Sequence, residues 1–134
     1  MSLTVPPDLL TRAEAGEVED DDFIACVRTS LPYAFGLVAE LTGRLAAGDT
    51  PPGAQFADNQ AEPPDEQARG QLLRAMASDA IRGALQRHFR VRLAFQNCHR
   101  VAVFPLDDGA DAQLARFTSV RSQLLNQSPQ LLNC

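Results

Sequence analysis

The sequence predicts an α+β domain, mostly helical, with four to five helices packed on a single β-hairpin in the order α-α(kinked)-α-β-β-α. Two observations predict it. Apolar residues recur at steps of three and four over most of the chain, the spacing of amphipathic helices. Two short runs, Val91 to Phe95 and Val101 to Phe104, are instead β-branched and aromatic and flank a turn-like Gln96-Asn97-Cys98-His99, which is the pattern of a hairpin. The composition, 45% hydrophobic and 22% charged over 134 residues, is that of one ordinary globular domain covering residues 1–134. A chain of this length buries roughly two-thirds of its unfolded surface, so packing alone can hold it together.

Pro6 and Pro7 stand where the first turn of a helix tolerates proline, and Leu9 to Ala15 reads as helix until Gly16 stops it. The acidic cluster from Glu17 to Asp22 suits the positive end of the next helix, with Asp20 or Asp21 expected as its N-cap. From Phe23 to about Leu45 the residues Val27, Leu31, Ala34, Val38 and Leu41 keep helical spacing. Pro32 interrupts it. Proline has no N–H for the carbonyl four residues back, so a kink or a junction of two helices is expected there, with Ser30 capping the second. Residues 46–62 read as a long loop rich in Pro, Gly, Asp, Asn and Gln, pinned by Phe56.

The firmest periodicity runs from Asp65 to His88, where Leu72, Leu73, Met76, Ala77, Ala80, Ile81, Ala84 and Leu85 form two adjacent rows. It predicts one long central helix, started by Pro63-Pro64-Asp65-Glu66. In the hairpin, a three-residue connection sets Val91, Leu93 and Phe95 on one face with Val101 and Val103, and Arg92, Ala94, Gln96 and Arg100 on the other. The first face is expected under the helices. Asp107-Asp108-Gly109 ends the hairpin and starts a last helix to about Asn126, with an apolar stripe of Leu114, Phe117, Val120 and Leu124, and residues 126–134 form a tail. A lone ribbon is marginal in water, and its open edge predicts a homodimer, by pairing of hairpins or by packing of helices across a two-fold axis.

The N-terminus has no basic segment or apolar stretch of a secretory signal, and no run approaches the ~20 apolar residues that span a bilayer. A cytoplasmic protein without a membrane association is expected. Cys26, Cys98 and Cys134 are odd in number and match no disulfide framework. All 12 basic residues are Arg, which reads mainly as genomic composition bias. Residues 1–66 hold 3 Arg against 13 acidic side chains, and residues 67–134 hold 9 against 4. Such asymmetry is either a binding footprint or two halves of one fold neutralising each other.

Three constellations could carry chemistry. Cys98-His99, with Arg100 beside it and His88 upstream, is the most reactive-looking: a thiolate near Arg and imidazole gains nucleophilicity. Adjacent β residues point to opposite faces, however, and the plain reading is a hairpin tip. Between Arg69 and Arg100 lie 7 Arg with Asp79 as the one acid. Of these, Arg82, Arg87, Arg90, Arg92 and Arg100 are the candidate anion or nucleic-acid ligands, although the acidic pI of about 4.9 and the apolar helix favour pairing within the fold. Asp58-Asn59-Gln60, with Glu62, Asp65 and Glu66, is oxygen-rich but has no EF-hand register. No zinc spacing, phosphate loop or nucleophile elbow is found, so no metal and no cofactor are implied.

In three stretches, Phe56-Ala57-Asp58-Asn59-Gln60, Asp65 to Arg74 and Phe95 to Phe104, the chain resembles a family of small Streptomyces-type actinobacterial conserved proteins of unknown function. The resemblance implies a cytoplasmic bacterial setting and carries no catalytic residues. The residues themselves favour a non-enzymatic protein-interaction or regulatory module. Anion or nucleic-acid binding through residues 69–100 is the alternative, and a small Cys-dependent enzyme or thiol sensor the second.

Overall fold

The computed structural model describes residues 2–97 and 99–125. Its chain order is α1 (Pro7–Glu14), α2 (Asp20–Ser30), α3 (Pro32–Ala47), β1 (Ala57–Asp58), α4 (Glu66–Ala77), α5 (Asp79–Phe89), β2 (Arg92–Gln96), β3 (Arg100–Phe104), a 3-10 turn (Asp108–Ala110), α6 (Asp111–Phe117) and α7 (Val120–Leu125). Among the described residues this makes an α+β fold of seven helices around one antiparallel sheet of order β1-β3-β2.

The junction at Pro32 is a meeting of two helices, bent by 111°. Ser30 does not cap the second of them. Its hydroxyl accepts from the Thr4 N–H at 2.8 Å. The open N–H groups of α3 are met from a distance: Gln71 of α4, buried, accepts from Tyr33 N at 2.7 Å and Ala34 N at 3.2 Å. Asp20 and Asp21 are likewise not the cap of α2. Glu19 is, and Asp22 accepts from its N–H at 3.3 Å while taking Arg12 Nη1 at 2.6 Å.

The single helix expected over 65–88 is two. Ser78 leaves helical geometry, with φ −97° and ψ 116°, and its hydroxyl accepts from Ile81 N to start α5. The apolar rows continue on both sides of the break, so periodicity alone could not show it; the serine oxygen competing for a backbone N–H is what ends one helix and begins the next. Helix α5 closes with Arg90 in the left-handed region at φ 57°.

The hairpin has the expected faces. Leu93 lies opposite Val103 and Phe95 opposite Val101 across a three-residue connection. What was expected as loop adds a strand: Ala57 and Asp58 pair with Val103 and Ala102, so β3 is flanked on both sides. Asn59 prolongs the pairing with its side chain, its Oδ1 accepting from Val101 N at 2.8 Å and its Nδ2 donating to His99 O at 2.7 Å. On the exposed edge of β2, Gln86 Oε1 accepts from Leu93 N at 2.9 Å.

Both faces of the sheet are covered, not one. On the first, Leu93, Val101 and Val103 pack with Val27, Val38, Leu41, Leu72, Ile81 and Leu85 in the main core. On the second, Ala94, Ala102 and Phe104 pack with Ala110 and Phe117, and Phe56 stacks on Phe104 with centroids 4.7 Å apart. The last predicted helix also divides, at Thr118 and Ser119, where Ser119 Oγ accepts from Ser122 N. The divided helix does not keep the predicted stripe buried: Phe117 is inside, but Val120 and Leu124 are 77% and 69% exposed. The tail expected over 126–134 lies outside the described residues. Among the described residues no single helix is long and apolar enough to cross a membrane.

Candidate functional site

Of the five candidate arginines of residues 69–100, Arg87, Arg90 and Arg92 line one cleft of about 350 Å³ at the end of α5, while Arg82 and Arg100 lie elsewhere, and all five but Arg90 are engaged by acids of the fold. Arg82 donates to Met76 O and Asp79, each at 2.6 Å. Arg87 makes a two-pronged pair with Asp20, at 2.7 and 3.1 Å. Arg92 ties the end of the hairpin down, reaching Pro105 O at 2.9 Å, Asp107 O at 3.0 Å and Asp111 at 2.7 Å. Arg90 ends α5, and its left-handed conformation turns the chain toward β2. The Arg87–Asp20 pair joins the basic second half of the chain to its acidic first half. This mutual bond draws the Asp20 carboxyl below its ordinary range, and the Arg12 guanidinium does the same for Asp22.

Arg100 sits apart. It lies on the second face of the sheet with Asp58 and Gln96, because the register puts Asp58 beside Ala102 and Gln96 opposite Arg100. Its guanidinium pairs with buried Asp58 at 2.7 Å, donates to Gln96 Oε1 at 3.0 Å and lies 4.9 Å from the Phe117 ring centroid. Gln60 Nε2 donates to the other Asp58 oxygen at 2.6 Å, and Gln96 Nε2 donates to Phe117 O at 3.0 Å. This network forms one wall of a cleft of about 280 Å³ between residues 52–56 and α6–α7, whose other walls include Phe56, Gln113, Arg116, Phe117 and Ser122. Gln113 holds the loop side in place, donating to Gly53 O and accepting from Gln55 N.

The oxygen-rich run 58–60 is thus spent on structure: Asp58 on Arg100, Asn59 on the sheet, Gln60 on Asp58. Among the described residues no group of three or more His, Cys, Asp or Glu could hold a metal ion. Of the reactive trio, Cys98 lies outside the described residues. His99 is half-buried, and that burial chiefly pushes its pKa down. His88 is exposed at the end of α5, in edge contact with Phe89. The two imidazoles look onto different surroundings: His88 packs against Phe35 and Phe89, whereas the charged groups nearest His99 are Glu62, Arg69 and Arg100.

Sequence reasoning missed Arg116 and Asp58 as partners in this region. Arg116 falls outside the arginine-dense stretch, and the Asp58 pairing depends on a two-residue strand too short to leave a periodic signal. A hint existed in Phe56, a large apolar residue in an otherwise polar loop.

The fold and cleft define a small α+β domain whose charged groups mostly serve its own architecture. Over residues 1–134 the chain matches the protein-family model described as NucS shadow ORF, and it belongs to that small family. No curated protein and no solved structure matches it.

Proposed function

We propose that the chain is a non-enzymatic protein-interaction module of the actinobacterial cytoplasm that associates weakly with a second copy of itself through α7. The observation that carries the reading is a contrast in unspent surface. Of the five arginines a polyanion would need, Arg82, Arg87, Arg92 and Arg100 are held by acids and carbonyls within the fold, which leaves Arg90 alone among them to meet a ligand. Val120, Leu124 and Leu125 on α7 are instead 77%, 69% and 63% exposed. Burying side chains of this size contributes roughly 1.5–3 kcal/mol each before the cost of association.

Val120 and Leu124 are one helical turn apart and share a face. Packing that face on its own copy across a two-fold axis uses one patch twice, as a two-fold interface requires. A six-residue helix offers a small area, which places the contact among weak, transient interfaces. Sedimentation equilibrium from micromolar to millimolar concentration tests it. A concentration-dependent mass that Leu124→Asp abolishes is expected; a monomer throughout the range refutes self-association.

The family description bears on this reading. A shadow ORF is a reading frame overlapping another coding sequence, here that of NucS, so the module acts only where this frame is translated. The all-Arg basic set accords with a composition set by the DNA rather than by a ligand. A stop codon placed in this frame and silent in the overlapping one is the direct test. Peptides of this chain in cell lysates, lost with the stop codon, support the proposal. Their absence from cells that make NucS removes any function to assign.

A further inference from the structure

We propose that the cleft between residues 52–56 and α6–α7 is a binding site for a small aromatic carboxylate. Its polar lining is almost wholly committed to the protein. Arg100 is neutralised by Asp58, both ends of the Gln96 amide are used, and both ends of the Gln113 amide hold the 53–55 backbone. What stays available is the Arg116 guanidinium and the Ser122 hydroxyl. Arg116 has no ion pair among the described residues, and none of the lining residues is acidic, so the cleft carries one uncompensated positive charge.

The apolar side of the cleft is aromatic. Phe56 is half-buried, stacked on Phe104 and edge-on to Phe117 at 5.8 Å, so a planar ring entering from solvent meets a ring already fixed in place. At about 280 Å³ the cleft is at the small end for a ligand site. That suits a single ring bearing a carboxylate, with the ring against Phe56 and the anion on Arg116, where a guanidinium can bind both carboxylate oxygens. Ligands of this size bind with a Kd on the order of 1 mM.

The test is a titration of the whole ¹⁵N-labelled chain with benzoate, with acetate and benzyl alcohol in parallel, followed by NMR. Saturable shifts confined to the amides of residues 53–56 and 113–122, produced by benzoate and by neither control, are expected. Arg116→Gln, a change at an exposed residue, keeps the folded spectrum and weakens benzoate binding roughly tenfold, the loss of one charge-assisted hydrogen-bonded contact. Three results overturn the proposal: no saturable shift, acetate shifting the same amides as strongly, or unchanged benzoate affinity in Arg116→Gln.

Discussion

Gln71→Leu isolates the contribution of a helix cap supplied from a distant helix. The substitution keeps the volume near that of glutamine and removes the one acceptor that Tyr33 N and Ala34 N share at 2.7 and 3.2 Å. Pro32 has no N–H, and Leu31, at the cap position of α3, makes no side-chain cap bond. The two stranded N–H groups therefore have no substitute nearby. A buried donor left unmade costs about 1–3 kcal/mol. Ala34 is fully buried and Tyr33 only partly, so the first is charged near the middle of that range and the second near its foot, about 3 kcal/mol together. Leucine returns part of this through apolar burial, leaving a net loss of about 2 kcal/mol. For a domain of this size that is a fall in Tm of about 8 °C. Urea unfolding measures it, with an unchanged slope showing that the unfolded state is unaffected. Hydrogen exchange at Tyr33 and Ala34 should quicken in the same variant. A loss below about 0.5 kcal/mol, with exchange at the two amides unchanged, would refute the argument that Gln71 closes the start of α3.

Other perturbations follow from the same accounting. Asp58→Ala strands the part-buried Arg100 guanidinium and should cost about 3 kcal/mol by chemical denaturation, whereas the double change Asp58→Leu, Arg100→Met should recover most of it. Arg87→Ala breaks a pair whose side chains are both 60% exposed, so the urea midpoint should barely move, and less still in high salt. Burial lowers the His99 pKa, so the unfolded chain takes up that proton first: stability should fall as pH drops from about 6.5 through the lower folded value, and His99→Gln should flatten that part of the pH profile.

The parts of the fold written in repeating patterns were readable from the sequence. Period-two alternation set the hairpin faces, and Leu93 does lie opposite Val103. Period 3.6 set the core-facing rows, and Leu72, Ile81 and Leu85 are buried. The parts made by single residues were not. Ser78 cuts a helix without disturbing the apolar rows around it, and Ala57-Asp58 forms a strand too short to alternate. The exposure of Val120 and Leu124 has the same origin: Thr118 and Ser119 end α6 one turn early, which turns the remaining stripe away from the core that Phe117 reaches. For the cleft, Arg100 stood out as one basic residue among many, while its counter-ion, 42 positions away, comes beside it only through the β1–β3 pairing.

The Asn59 amide, which finishes the sheet, is also a place where chemical ageing would be felt. Its nitrogen donates to the carbonyl oxygens of His99 and Ala61. Slow hydrolysis of that amide to a carboxylate would turn a donor into an acceptor carrying negative charge, set against two oxygens that need a proton. Molecules altered in that way should then loosen first where residue 59 meets β3, even where no side chain has been altered by design.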